Sequence, residues 1–215
     1  MTVKEKKNKN KKIQFDSSAD RLAVAAQALA DPVILDALVE NLSTDTRRTR
    51  QFSATAIHEI SETDPKMILP FVAQIIDALH RPEAQTRWEC LEVLVNVVAL
   101  DPKACDDAIA GAESSLYDEG SGPARLAAMR FLCAYGASDT ERAEKIWPLL
   151  DEAIQCYHGD SEFQDMLVAV IGFAEGDIGK DVCNSLAERM DFDAKNAGGT
   201  LKRRAVQIVD LCKRK

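Results

Sequence analysis

Several signals are missing from this chain, and each absence narrows what it can be. Glycine and proline number only ten and seven among 215 residues, and most of them fall between segments with helical patterning. Alternating β-branched runs joined by hairpin turns do not occur, so strands are not expected. Nowhere does the chain run apolar for the roughly 18 residues that a membrane helix needs, and no apolar signal segment follows the lysine-rich start. A soluble, cytoplasmic protein is therefore expected. The six cysteines (90, 105, 133, 156, 183, 212) contain no C-x-x-C and no regular pairing, and they read as small buried thiols in a reducing compartment. Ser/His/Asp and Cys/His constellations are absent, as is a glycine-rich phosphate loop. GSG at 120–122 and GDIG at 176–179 are turn signals only. No enzyme, cofactor or metal is expected.

Charge is present but unevenly placed. The net charge is −8, yet residues 1–12 carry six lysines and one glutamate, and residues 201–215 carry six basic residues against Asp210. Between 13 and 200 stand fifteen basic and thirty-three acidic residues. A body this acidic repels phosphate backbones and favours partners with a basic element. Residues 1–16 read as a disordered basic tail, through which contact with nucleic acid is the alternative.

The positive signal is a repeat. Asp-Pro occurs at 31–32, 64–65 and 101–102, and Asp139-Thr140 is a degenerate fourth copy. Asp accepts hydrogen bonds from the unpaired N–H groups of a helix start, and Pro fits the first helical position, where its missing N–H is not needed. Intervals of 33, 37 and 38 residues mark stacked helical hairpins. The expected helices lie near 32–41 and 48–62, 65–80 and 84–100, 102–117 and 124–137, 140–157 and 162–175, then 178–190 and 200–213. A helix over 17–30, started from Ser17 or Ser18, caps the stack. Residues 191–199, DFDAKNAGG, read as the longest non-helical stretch.

Counting back fourteen residues from Asp64, Asp101 and Asp139 reaches Arg50, Arg87 and Arg125. Three, four, seven and eleven residues after each arginine come mainly small or apolar side chains: Ser53, Ala54, Ile57 and Ser61 in the first unit, Cys90, Leu91, Leu94 and Val98 in the second. Ala128, Met129, Leu132 and Gly136 continue the series, then Met166, Leu167, Val170 and Ala174, then Ala205, Val206 and Val209. At 100° per residue these form one buried stripe. The fourth unit has Phe163 at the arginine position, and the fifth has Lys202.

These marks resemble the HEAT-repeat family. They include Leu69-Pro70, echoed by Trp147-Pro148, and Asp45 five residues before Arg50. The resemblance implies an all-α fold, a right-handed α-α superhelix of four to five helical-hairpin repeats at about 32–64, 65–101, 102–139, 140–177 and 178–215. It also implies a ladder in which Asp45, Arg50, Arg87 and Arg125 tie successive turns together. Pro82-Glu83 stands where an aspartate before Arg87 is wanted, which weakens that ladder. Such solenoids are mostly scaffolds that bind proteins along a concave face built from the second helices.

Positions one, five and nine residues past each arginine should line that face. Gln51, Thr55, Glu59, Trp88, Glu92, Asn96 and Arg130 are the candidate partner-binding residues, with Trp88 expected to stand out from the surface. The competing reading tucks Trp88 against a neighbouring repeat and makes Glu92–Arg130 a surface ion pair. The same trio is similar to part of the site of HEAT-like DNA alkylation-repair glycosylases, although the paired-tryptophan segment is absent and Glu replaces Asp. His58-Glu59 resembles one of the four His-Glu pairs of HEAT-type di-iron hydroxylases. With one such pair, His58 reads as structural.

Overall fold

The computed structural model describes residues 20–44 and 46–215. The basic segment at 1–16, the caps Ser17 and Ser18, and Asp45 lie outside the described residues.

Eleven α-helices and two 3-10 segments are present among the described residues, with no strand. In chain order they are α1 (Arg21–Ala30), α2 (Pro32–Asn41), α3 (Arg47–Thr63), α4 (Val72–Ala78), α5 (Ala84–Val98), α6 (Ile109–Leu116), α7 (Gly122–Gly136), α8 (Thr140–Cys156), α9 (Phe163–Glu175), α10 (Gly179–Asn196) and α11 (Gly199–Lys213). Helices α3, α5, α7, α9 and α11 stand side by side in one row, and α1 joins that row beside α3. The first helices of the hairpins form the opposite row. One continuous apolar core runs between the rows. The chain is an all-α solenoid.

Cap chemistry sets many of the helix starts. Asp31 and Asp64 accept from the N–H of Val33 and Lys66, at 3.0 and 3.1 Å, each with Pro at the first helical position. Asp101 takes the N–H of Ala104 at 3.1 Å and Asp139 that of Arg142 at 2.9 Å. Helix α1 starts from Asp20, whose carboxylate accepts from Leu22 at 3.0 Å, four residues inside the expected boundary.

Three departures from the expected helices have local causes. Residues 65–80 divide into a 3-10 segment (Pro65–Phe71) and α4, because Pro70 removes a donor and crowds the carbonyl four residues back. Lys103–Ala108 is also 3-10, leading into α6. Residues 191–196, read as loop, instead complete α10: polar as they are, they contain no breaker before Gly198, and Lys195 pairs with Asp191 one turn back at 2.5 Å. The reversal needs little chain, since Gly199 supplies a positive φ of 59°.

The stripe is buried at all its positions except Val206, which is 37% exposed. The equivalent side chains Ala54, Leu91, Met129 and Leu167 are buried. Five cysteines are buried. Cys156 at the end of α8 is exposed, against expectation, because it falls on the outer side of the last turn.

Candidate functional site

The repeat-to-repeat seam is built first from the arginines. Each one sits in the opening turn of a second helix and does two things. It donates to backbone carbonyls of its own hairpin turn: Arg50 to Thr44, Arg87 to Arg81 and Pro82 at 2.9 and 3.0 Å, Arg125 to Asp118 and Glu119 at 2.9 and 3.4 Å. It also reaches an acid in the next repeat. Arg50 meets Glu83 through two donors, Arg87 meets Asp118, and Arg125 lies 3.5 Å from Asp160 and 3.7 Å from Glu162, with its guanidinium over the Tyr157 ring.

Glu83 therefore completes the ladder rather than interrupting it. The acid that matters comes from the following unit, and a glutamate four residues before Arg87 has the length to meet Arg50. The hydrogen bond from Arg50 holds the Glu83 carboxyl below the usual glutamate range, against the opposing effect of burial. The fourth unit, with Phe163 at the arginine position, uses a different pair. Phe163 packs against the His158 ring at 5.0 Å between centroids, and His158 Nε2 lies 3.2 Å from both oxygens of the buried Asp193 carboxylate.

The inner positions of the second helices come next. Gln51, Thr55 and Glu59 are half-buried on α3, Trp88, Glu92 and Asn96 half-buried on α5, and Arg130 exposed on α7. Trp88 does not stand out: its indole packs against the core. It lies at the margin of the buried stripe, where helices packed about 8–10 Å apart cover much of a large ring. Several of these groups are tied across the seams. Arg130 donates to Glu92 at 2.6 Å, and the Asn96 amide donates to Ser61 Oγ at 3.0 Å.

The densest network centres on Glu89, which sequence reasoning passed over. Only 8% exposed, its carboxylate accepts from Thr55 Oγ1 at 2.9 Å through one oxygen and pairs with His58 Nδ1 at 2.8 Å through the other. Gln85 donates to Thr55 at 3.4 Å, and Glu62 lies 3.9 Å from His58 Nε2. The signal was a carboxylate two residues past Arg87, on the flank that faces the preceding second helix. Burial alone pushes the Glu89 carboxyl up, but the hydrogen bonds from His58 and Thr55 outweigh it and the net shift is down. Burial also opposes charge on His58, yet the Glu89 bond and the charges of Glu89, Glu62 and Glu92 raise it above 6.5.

His58 and Glu59 assemble no metal centre: among the described residues no group of three His, Cys, Asp or Glu side chains could hold an ion. A cleft of about 230 Å³ opens between the first helices of the third and fourth units, lined by Lys103, Asp106, Tyr135, Arg142 and Lys145. Arg142 there is already paired with Asp139 and lies 3.3 Å from Asp106, which also accepts from the Tyr135 hydroxyl at 2.8 Å. No described helix is long and apolar enough to cross a membrane.

No protein-family model matches the chain, and no curated protein does. Solved structures do share its fold. A designed armadillo repeat protein in complex with the peptide (KR)4 is 14% identical, with 89% of this chain and 90% of that one covered, at a TM-score of 0.73. An engineered protein is 17% identical over 93% of this chain and 88% of its own, at 0.70. The archaeal HEAT-like repeats protein from Thermococcus onnurineus NA1 is 16% identical over 92% and 94%, at 0.59. The chain has a HEAT/armadillo-like repeat fold.

Proposed function

We propose that this protein is a non-enzymatic scaffold that binds a protein or peptide segment bearing basic side chains along the row of second helices. The observation that carries the reading is the composition of that row. From α3 to α9, positions one, five, nine and twelve past the arginine register hold four carboxylates, Glu59, Glu62, Glu92 and Glu175, and no lysine. The single cation among them, Arg130, is bonded to Glu92. Trp88 offers a partly sheltered indole face one turn from Glu92. A Lys or Arg side chain can lay its stem on that ring and its charge beside the carboxylates, a cation–π contact contributing about 0.5–2 kcal/mol. The inter-helix bonds fix several of these groups before a ligand arrives, which lowers the ordering cost of binding. The shared fold with a designed repeat protein solved with (KR)4 supports the same class of ligand.

The test is a titration of the full chain with a (KR)4 peptide, an acidic peptide of equal length and a single-stranded oligonucleotide. Saturable binding of the basic peptide, weakening with salt, is expected. Preference for the oligonucleotide, or equal response to both peptides, overturns the proposal.

A further inference from the structure

We propose that His58 is a proton-operated regulator of the inner face, its protonation weakening the grip on basic ligands and its deprotonation restoring it. The inference rests on the binding reading given above and adds a control to it.

The geometry places one titratable cation among the acids of that face. The His58 ring bridges the seam between α3 and α5, with Nδ1 at 2.8 Å from Glu89 and Nε2 at 3.9 Å from Glu62. Glu92, on α5, adds its charge to the field at the ring, and Glu59 is the next residue along α3. The other helices packed on α3 bury no ionisable side chain against it. The buried faces of α1 and α2 consist of Val24, Ala25 and Ala28, and of Leu35, Leu38, Val39 and Asn41, none of which ionises. The 3-10 segment after α3 buries Ile68. The imidazole is half-buried, so solvent protons reach it while the neighbouring carboxylates dominate its charge state.

Protonated, His58 cancels one unit of the negative charge that a Lys or Arg side chain would meet. Neutral, it leaves Glu59, Glu62, Glu89 and Glu92 at their full charge beside Arg130. One unit charge about 8 Å from a ligand cation, at a dielectric near that of a wet surface, changes affinity by roughly three- to fivefold. By linkage, a basic ligand must expel part of a proton from His58 as it binds. Histidine is the residue whose ordinary titration lies in the range where this control is useful. The acids around His58 move that range upward.

The experiment measures (KR)4 affinity from pH 5.5 to 8.5 for the native chain, His58→Gln and His80→Gln. Lys and Arg on the peptide stay charged throughout. Expected is a rise of about three- to fivefold with pH in the native chain and in His80→Gln, and a flat profile in His58→Gln. Calorimetry of the native chain in buffers of different ionisation enthalpy should show fractional proton release on binding, which keeps the test independent of how well the variant folds. A pH-independent native affinity, no proton release, or a dependence that persists in His58→Gln overturns the proposal while leaving the scaffold reading intact. Failure of (KR)4 to bind at any pH overturns both.

Discussion

Arg50 and Glu83 are thirty-three residues apart and meet across the first repeat seam as a bidentate ion pair, 9% and 8% exposed. A guanidinium and a carboxylate so nearly buried are costly to separate. The pair's net contribution against apolar replacements is small, but a single survivor is left charged without a partner. The seam therefore depends on both residues being present together.

Glu83→Leu should consequently destabilise the chain by about 3 kcal/mol, with Arg50→Met similar. Replacing both with apolar residues of matching volume, Arg50→Met with Glu83→Leu, should recover most of that loss. Urea melts of the four proteins check this as a double-mutant cycle. Additive losses would mean that the two side chains do not act on each other.

Helix starts allow a smaller, cleaner prediction. Asp64 and Asp101 each accept one backbone N–H at 3.1 Å. Asp64→Ala and Asp101→Ala should each cost about 1 kcal/mol. Asn at either position should restore most of it, since the amide oxygen accepts the same bond. Two silent alanine variants would show that the caps do not set the register.

Stability should also depend on pH through the α3–α5 seam. The Glu89 carboxyl is shifted down in the fold, so its contribution is present above the ordinary range near 4.5 and lost as pH falls through the folded value. His58 is shifted up, so its contribution is full below 6.5 and lost as pH rises through the folded value. The seam is accordingly firmest between those limits. Denaturant midpoints from pH 4 to 9, compared with Glu89→Gln, should show a maximum in that window that the variant flattens.

Trp88→Ala separates packing from binding. A half-buried indole leaves a smaller void than a core site, so the stability loss should be roughly 2 kcal/mol, short of the 3–5 kcal/mol of a fully enclosed ring. Affinity for a basic peptide should fall by about 0.5–2 kcal/mol, roughly 2- to 30-fold. Paired melting and binding curves decide between the roles: unchanged affinity in a protein that still folds removes Trp88 from the binding face.

Much of this fold is legible in the sequence because capping and stripe patterning are local chemistry. Asp31-Pro32 and Asp64-Pro65 announce their helices from two adjacent residues, and the stripe after Arg50, Arg87 and Arg125 needs only the helical period. What crosses a seam is harder to read. Glu83 looked like a missing aspartate because its partner lies a whole repeat earlier, where no fixed offset reveals it. His158 replaces the absent arginine from a different position in the turn. Residues 191–196 are polar enough to pass for a loop, and the burial of Asp193 under His158 of the fourth unit, which adds to the Lys195–Asp191 pair in holding them helical, is not visible from their composition. Trp88 is placed correctly on its helix by the register, but how deeply its ring sinks depends on neighbours that the register does not specify.

The polar ties between second helices are spread unevenly, and that grades the shear resistance of the inner row. Between α3 and α5 lie the Arg50, Glu89 and Asn96 bonds, at three heights along the helices. Between α5 and α7 are two, from Arg87 and Arg130. The α7–α9 seam has the longer contacts of Arg125 at one end, and α9–α11 has Arg204 bonded to Gln164. Apolar packing resists separation but not sliding, whereas bonds at several heights resist shear as well. The row of second helices is thus held against sliding most firmly at its first two repeats. Sliding within that row should be absorbed toward its C-terminal half, while Arg189, bonded to Asp151 at 2.6 and 2.9 Å, ties the row of first helices there.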